Sequence, residues 1–176
     1  TSRRQRQMCI RDRLGMPGSY RDAALDEENM NDVLASLVPE EQDRDKAVKA
    51  GEKYAFEQTG IASLAYNTLY KLCYLNKAMP EQMAAADKLL FMPNLIEYLF
   101  SGVVHSEYSI ASTSQLLDMK EKKWASELIR KAGIDPKLLA PLDYAGKDLG
   151  PLRPEIAKEV GQENLCLLYT SPSPRD

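Results

Sequence analysis

Residues 59–72 read TGIASLAYNTLYKL, and they carry the turn from one helix into the next. Gly60 suits a helix C-terminus, because glycine enters the left-handed region at no steric cost. Leu69, Leu72 and Cys73 then share one face of a helix predicted over Thr68 to Ala78. Tyr66 and Asn67 stand just before it. That position leaves two readings open. An aromatic face and an amide are both turned toward a ligand, or Asn67 is a plain N-cap for the helix.

Working outward, Met30, Val33, Leu34 and Leu37 fall at i, i+3, i+4 and i+7. They define a helix that begins near Asp26 and is halted by Pro39. The charged run from Glu40 to Thr59 is helix-prone and ends at Gly60. Downstream, Pro80 opens a short helix through Ala86, since its missing N–H costs nothing at the first helical position. Lys88 to Met92 reads as a short buried strand or a turn. Leu95, Ile96, Leu99 and Phe100 are expected inward on a helix ended by Gly102. Ser109 to Leu117 is predicted helical. Trp124, Leu128 and Ile129 give another helix, with Lys131 near the negative end of its dipole and Gly133 as its stop. Asp135-Pro136 and Arg153-Pro154 start two more, the last closing at Gly161. Residues 14–22, LGMPGSYRD, read as a strand end leading into a loop. The chain is therefore predominantly α-helical, and its strand remnant places it inside a larger α/β domain.

The two ends follow no such period. RRQRQMCIRDR (residues 3–13) and CLLYTSPSPRD (residues 166–176) have codon choices in common. Met8 to Asp12 and Cys166 to Thr170 are encodable by reverse-complementary strings, as if one DNA element were read in both directions. That element resembles the transposase end of sequencing-library adapters. Residues 1–13 and 166–176 are accordingly read as non-native, and residues 14–165 as the part that carries the fold. The other reading is a pair of natural tails, the first a basic arm.

The chain has formal charge −3, but residues 1–13 carry five Arg and one Asp while residues 166–176 balance. Residues 14–165 are left at −7, which argues against a nucleic-acid surface. Without the ends only Cys73 remains, too few for a disulfide framework or a zinc site. A small buried hydrophobe is its expected role. There is no secretory apolar region and no run long enough to span a bilayer, so the expected location is the cytoplasm. No Rossmann or Walker glycine loop, no G-x-S-x-G and no H-E-x-x-H occurs. His105, the one histidine, is expected to be solvated in a polar loop. Asp43 and Asp45 have a metal-ligand spacing but lie on a charged helical face, where solvated surface is the expected role. Arg21 and Asp22, in SYRD, are expected at a strand end, where α/β proteins build their sites. A ligand contact and an Arg–Asp pair holding a loop are both open there.

SYRD, TGIASLAYNTLYKL, ADKLLFMPNLIEYLFSG, SEYSIASTSQLLD with Trp124 beyond it, and LGPLRPEIAKEVG occur in the order seen in the FGGY carbohydrate kinases. The chain resembles that family over nearly all of residues 14–165. NTLYKL and EYSIASTSQLL are most similar to its rhamnulokinase branch. The resemblance implies a two-domain enzyme of the actin-like, ribonuclease-H-like α/β fold, in which sugar and MgATP meet in a cleft. An aspartate there acts as general base on the sugar hydroxyl. It places residues 14–165 in the later part of the N-terminal, sugar-binding domain. The phosphate loop is then upstream of Leu14 and the catalytic aspartate downstream of Leu165. A small-molecule sugar, L-rhamnulose or a related ketose, is the implied partner, with no MgATP bound by this chain and no phosphoryl transfer by it alone. Tyr66 matches an aromatic position of the sugar pocket, followed by Asn67, and Arg21 and Asp22 match a pair near it. Small Ala62, Ser63 and Ala65, and a longer segment between Val38 and Thr59, depart from the branch and bear on sugar choice. The rival expectation is a non-catalytic helical interaction module with a basic N-terminal arm.

Overall fold

The computed structural model describes residues 26–162 and 164–168. The readings made for residues 1–13, for LGMPGSYRD with Arg21 and Asp22, and for residues 169–176 lie outside the described residues.

Helix α1 (Glu27–Ser36) begins where Asp26 accepts a hydrogen bond from the Asn29 amide at 3.1 Å. Glu27 and Glu28 in its first turn suit the positive end of the helix dipole. Helix α2 (Arg44–Thr59) is capped by Asp43, which accepts from the Lys46 amide at 3.1 Å, so the DRD motif serves a helix start. It closes at Gly60, in the left-handed region at φ 71°. The two helices approach so closely that a Cβ on Gly51 would stand 1.9 Å from the Leu34 carbonyl oxygen. Against this pair packs α3 (Thr68–Ala78), which buries Leu69, Tyr70, Leu72 and Cys73. Helix α4 (Pro80–Ala85) follows, with proline in its first turn, and then α5 (Met92–Ser101), ended by Gly102.

The strands are short. β1 (Ser106–Glu107) runs parallel to β4 (Leu142–Asp143), and β2 (Leu117–Asp118) antiparallel to β3 (Lys123–Trp124). β5 (Asp148–Pro151) pairs antiparallel with β6 (Cys166–Leu168), with an irregularity in register between Asp148 and Pro151. A single parallel bridge joins Leu89 to Leu139, but the short strand or turn expected at Lys88 to Met92 is not buried, since Lys88 is exposed and Met92, 49% exposed, already belongs to α5. Between the strands lie α6 (Tyr108–Ala111), α7 (Ser126–Lys131) and α8 (Pro154–Val160), the last closing at Gly161. Leu116, Leu128 and Ile129 complete the core that α1 and α3 begin.

Four other expectations are corrected here. The helix expected over Ser109 to Leu117 stops at Ala111. The hydroxyls of Ser112, Thr113 and Ser114 each donate to the carbonyl three residues back, and Gln115 turns the chain at φ 58°. Serine and threonine compete with helical bonding in just this way. Trp124 is in β3 rather than a helix, and its indole N–H donates to the Ala140 carbonyl at 3.0 Å. On α5, Ile96 and Phe100 face solvent at 48% and 40% exposure, and the side chain that α5 buries is Asn94. Asp135-Pro136 opens only a three-residue 3-10 turn, Pro136–Leu138. Lys131 does close α7, and its ammonium also lies 4.4 Å from the centroid of the Tyr54 ring.

Candidate functional site

The loop between α2 and α3 is built from its two ends. At its start the Thr59 hydroxyl donates to the Ala55 carbonyl at 2.7 Å and accepts from the Ile61 amide at 3.1 Å. At its end the Asn67 amide donates to the Leu64 carbonyl at 2.8 Å, closing a tight turn. Asn67 occupies the N-cap position of α3, yet its side chain makes no capping bond. Its carboxamide nitrogen instead donates to the Ala62 carbonyl at 2.9 Å and to Gln115 Oε1 at 3.2 Å.

Gln115 completes the arrangement. Its Nε2 donates to the Ile61 carbonyl at 3.1 Å and to the Ser63 hydroxyl at 2.8 Å. Both carboxamides are buried, and a buried amide needs such partners because each unmet bond is costly. The neighbouring Ser114 carbonyl accepts from the Leu69 amide at 3.0 Å, which ties the first turn of α3 to the same segment. Tyr66 is left projecting, 51% exposed. Behind the loop the Tyr70 hydroxyl is buried with no hydrogen-bond partner of good geometry. Burial pushes its pKa up to about 12, and the nearby Ser63 and Gln115 polar groups offset that only in part. No signal near residue 115 marks it in the sequence, since its partners lie about fifty residues away.

His105 belongs to a different cluster. It is 1% exposed, not solvated as expected. Its Nε2 lies 2.8 Å from Glu97 Oε2, which also accepts from Asn94 Nδ2 at 2.9 Å. Its Nδ1 stands 3.6 Å from Asp143 Oδ2. The loop is polar in composition, but α5 and β4 enclose it and supply carboxylates for the ring. Glu107 nearby caps α6 by accepting from the Ser109 and Ile110 amides. This cluster ties α5 to β4 and does not reach Tyr66 through any of these bonds. Cys73 is buried, and burial pushes its thiol up to about 11, in keeping with a packing role.

Among the described residues, no group of three or more His, Cys, Asp or Glu side chains is placed to hold a metal ion. The described residues contain no glycine-rich phosphate loop. No helix among them is long and apolar enough to cross a membrane.

Residues 40–168 match the model of the FGGY family of carbohydrate kinases, N-terminal domain. The chain belongs to this family. A rhamnulokinase of Pectobacterium atrosepticum is 33% identical over 138 residues, covering 78% of this chain and 25% of that protein. One from Bacteroides thetaiotaomicron is 32% identical over 106 residues, 60% of this chain and 22% of that protein. The chain thus spans about a quarter of the length of these curated relatives. Among solved structures, a xylulose kinase from Bifidobacterium adolescentis superposes with a TM-score of 0.68 at 13% identity, covering 89% of this chain and 36% of its own. The ligand-bound xylulose kinase from Lactobacillus acidophilus gives 0.67 at 17% identity, over 81% of this chain and 28% of its own. At those identities the likeness is one of fold. The FGGY kinases have the actin-like α/β ATPase fold, and this part of it is predominantly helical.

Proposed function

We propose that the chain is the sugar-binding part of the N-terminal domain of an ATP-dependent ketose kinase that phosphorylates L-rhamnulose in the cytoplasm. The observation that carries this is Tyr66, a half-exposed aromatic ring on a loop whose backbone is pinned by a buried amide network, inside the segment that matches the family. An exposed ring on a pinned loop offers an apolar face to a sugar's C–H edge. Asn67 serves the site by holding the loop that bears Tyr66. Arg21 and Asp22 are included on the family resemblance alone.

The names of the curated relatives favour L-rhamnulose. Ala62, Ser63 and Ala65 make this loop smaller than the branch pattern, and a change of one methylene is worth about 1–3 kcal/mol in such a pocket. A related deoxyketose or a pentulose is the natural competitor. MgATP is assigned to the whole kinase and to no residue described here, so the chain alone transfers no phosphate.

Saturation-transfer NMR of the 176-residue chain with a panel of ketoses tests the sugar, and an ADP-release assay with MgATP tests the chemistry. The expected result is saturation of L-rhamnulose above D-xylulose and L-ribulose, with no ADP formed. Saturation of none of the sugars, or steady ADP release on adding one, contradicts the proposal.

A further inference from the structure

We propose that Gln115 is a positioning residue for the sugar site, and that its hydrogen bond to Ser63 sets which ketose the loop accepts. The proposal rests on the reading that Tyr66 faces the sugar.

A glutamine carboxamide has two N–H donors and an accepting oxygen, and the Gln115 side chain spends all of them on one loop. Both donors go to that loop, one to the Ile61 carbonyl and one to the Ser63 hydroxyl. The oxygen accepts from Asn67, whose other bond holds the Ala62 carbonyl. Residues 61, 62, 63 and 67 are therefore fixed by one buried amide pair. Gln115 is fully buried and takes a left-handed φ of 58°, which few residues other than glycine adopt. An unusual backbone conformation kept at a fully bonded side chain points to a constrained position.

Within this loop Ser63 and Asn67 meet Gln115 through their own side chains, and Ser63 is the one in the middle of the loop. Ile61 and Ala62 are held through their backbone carbonyls, which any residue provides. The identity of residue 63 thus decides whether the middle of the loop is latched. Tyr66 is three residues on, inside the turn closed by Leu64 and Asn67, so a shift at Ser63 is passed to the ring. Proline or a bulky residue at 63 loses the hydroxyl and moves the loop, altering the face that Tyr66 shows to a sugar.

Two readouts test this in the 176-residue chain. The first is hydrogen exchange at the Asn67 amide, which reports the loop turn, with the Ile129 amide, bonded to the Ala125 carbonyl, as a core control. The second is the ratio of L-rhamnulose to D-xylulose binding by NMR titration. Gln115→Met keeps side-chain length without the bonds, Ser63→Ala removes the hydroxyl, and Ser63→Thr restores it. The first two are expected to speed exchange at Asn67 at least tenfold with Ile129 unchanged, and to alter the ketose ratio at least fivefold. Ser63→Thr should stay near the unaltered chain in both. Unchanged Asn67 exchange in Gln115→Met overturns the proposal even if sugar binds. So does an unchanged ketose ratio in Ser63→Ala. If the unaltered chain binds no ketose, the sugar reading and this proposal fall together, and the exchange result then shows separately whether the latch exists.

Discussion

Asn67 Nδ2 lies 3.2 Å from Gln115 Oε1, a bond between two buried amides 48 residues apart in the chain. It ties the entry to α3 to the turn that follows α6, and the loop of Tyr66 hangs between them. Removing one partner leaves the other's polar atoms buried and unmet. Asn67→Ala should therefore lower stability by about 1–3 kcal/mol. Urea denaturation followed by Trp124 fluorescence measures this, and a midpoint within error of the unaltered chain would show that the pair does not hold the loop.

Gly51 is where α1 and α2 touch. On an exposed helix, Gly→Ala gains up to about 1 kcal/mol of helix propensity. Here the added Cβ would sit 1.9 Å from the Leu34 carbonyl oxygen, which is backbone and cannot step aside. Gly51→Ala should lower stability by about 1–3 kcal/mol or more, as overpacking does. A higher melting temperature for this variant would mean that the helices are not in such close contact.

Tyr70 gives a pH dependence. An unfolded tyrosine ionises near pH 10, whereas burial raises the folded group to about 12. Its folded pKa is the higher of the two, so the unfolded state releases the proton first. The stability it protects is complete below about pH 10 and is lost as pH rises toward 12. Tyr70→Phe also removes a hydroxyl with no good partner, so stability at pH 7 should change by no more than about 1 kcal/mol. The stability of Tyr70→Phe should fall less steeply than that of the unaltered chain between pH 10 and 11. Parallel curves in that range would remove Tyr70 as the cause.

Cys73 should be chemically quiet. Its thiol is buried and raised to about 11, while Cys166 is exposed. With Cys9 and Cys166 replaced by serine, Cys73 should react with a thiol reagent at pH 8 at least a hundred times more slowly than in urea. Rapid native-state labelling would place it at an open surface.

Much of the helical framework is readable from short-range chemistry. Asp26, Gly60, Pro80, Gly102 and Gly161 mark helix ends because caps and φ preferences act within a few residues. Several of the misses involve partners distant in sequence. Ser109 to Leu117 has helical spacing of Ile110 and Leu117, but its serines bond locally and Gln115 is claimed by Ile61 and Ser63. His105 looks solvated until Asp143, 38 residues on, closes over it. Ile96 and Phe100 look inward on periodicity, yet α5 turns Asn94 to the inside, where it bonds Glu97 and the Glu107 amide. Of the candidate site, Tyr66 and Asn67 were visible as residues before a helix. The role of Asn67 was not, because the bond to Gln115 that defines it is set by tertiary packing.

The most direct test of the central claim is saturation-transfer NMR of L-rhamnulose with the unaltered chain and with Tyr66→Ala. Tyr66 is half exposed and carries no bond of the latch, so the variant should keep its fold by circular dichroism. The account predicts clear saturation of the sugar by the unaltered chain and at least a fivefold loss in Tyr66→Ala. Equal saturation in the two would contradict it.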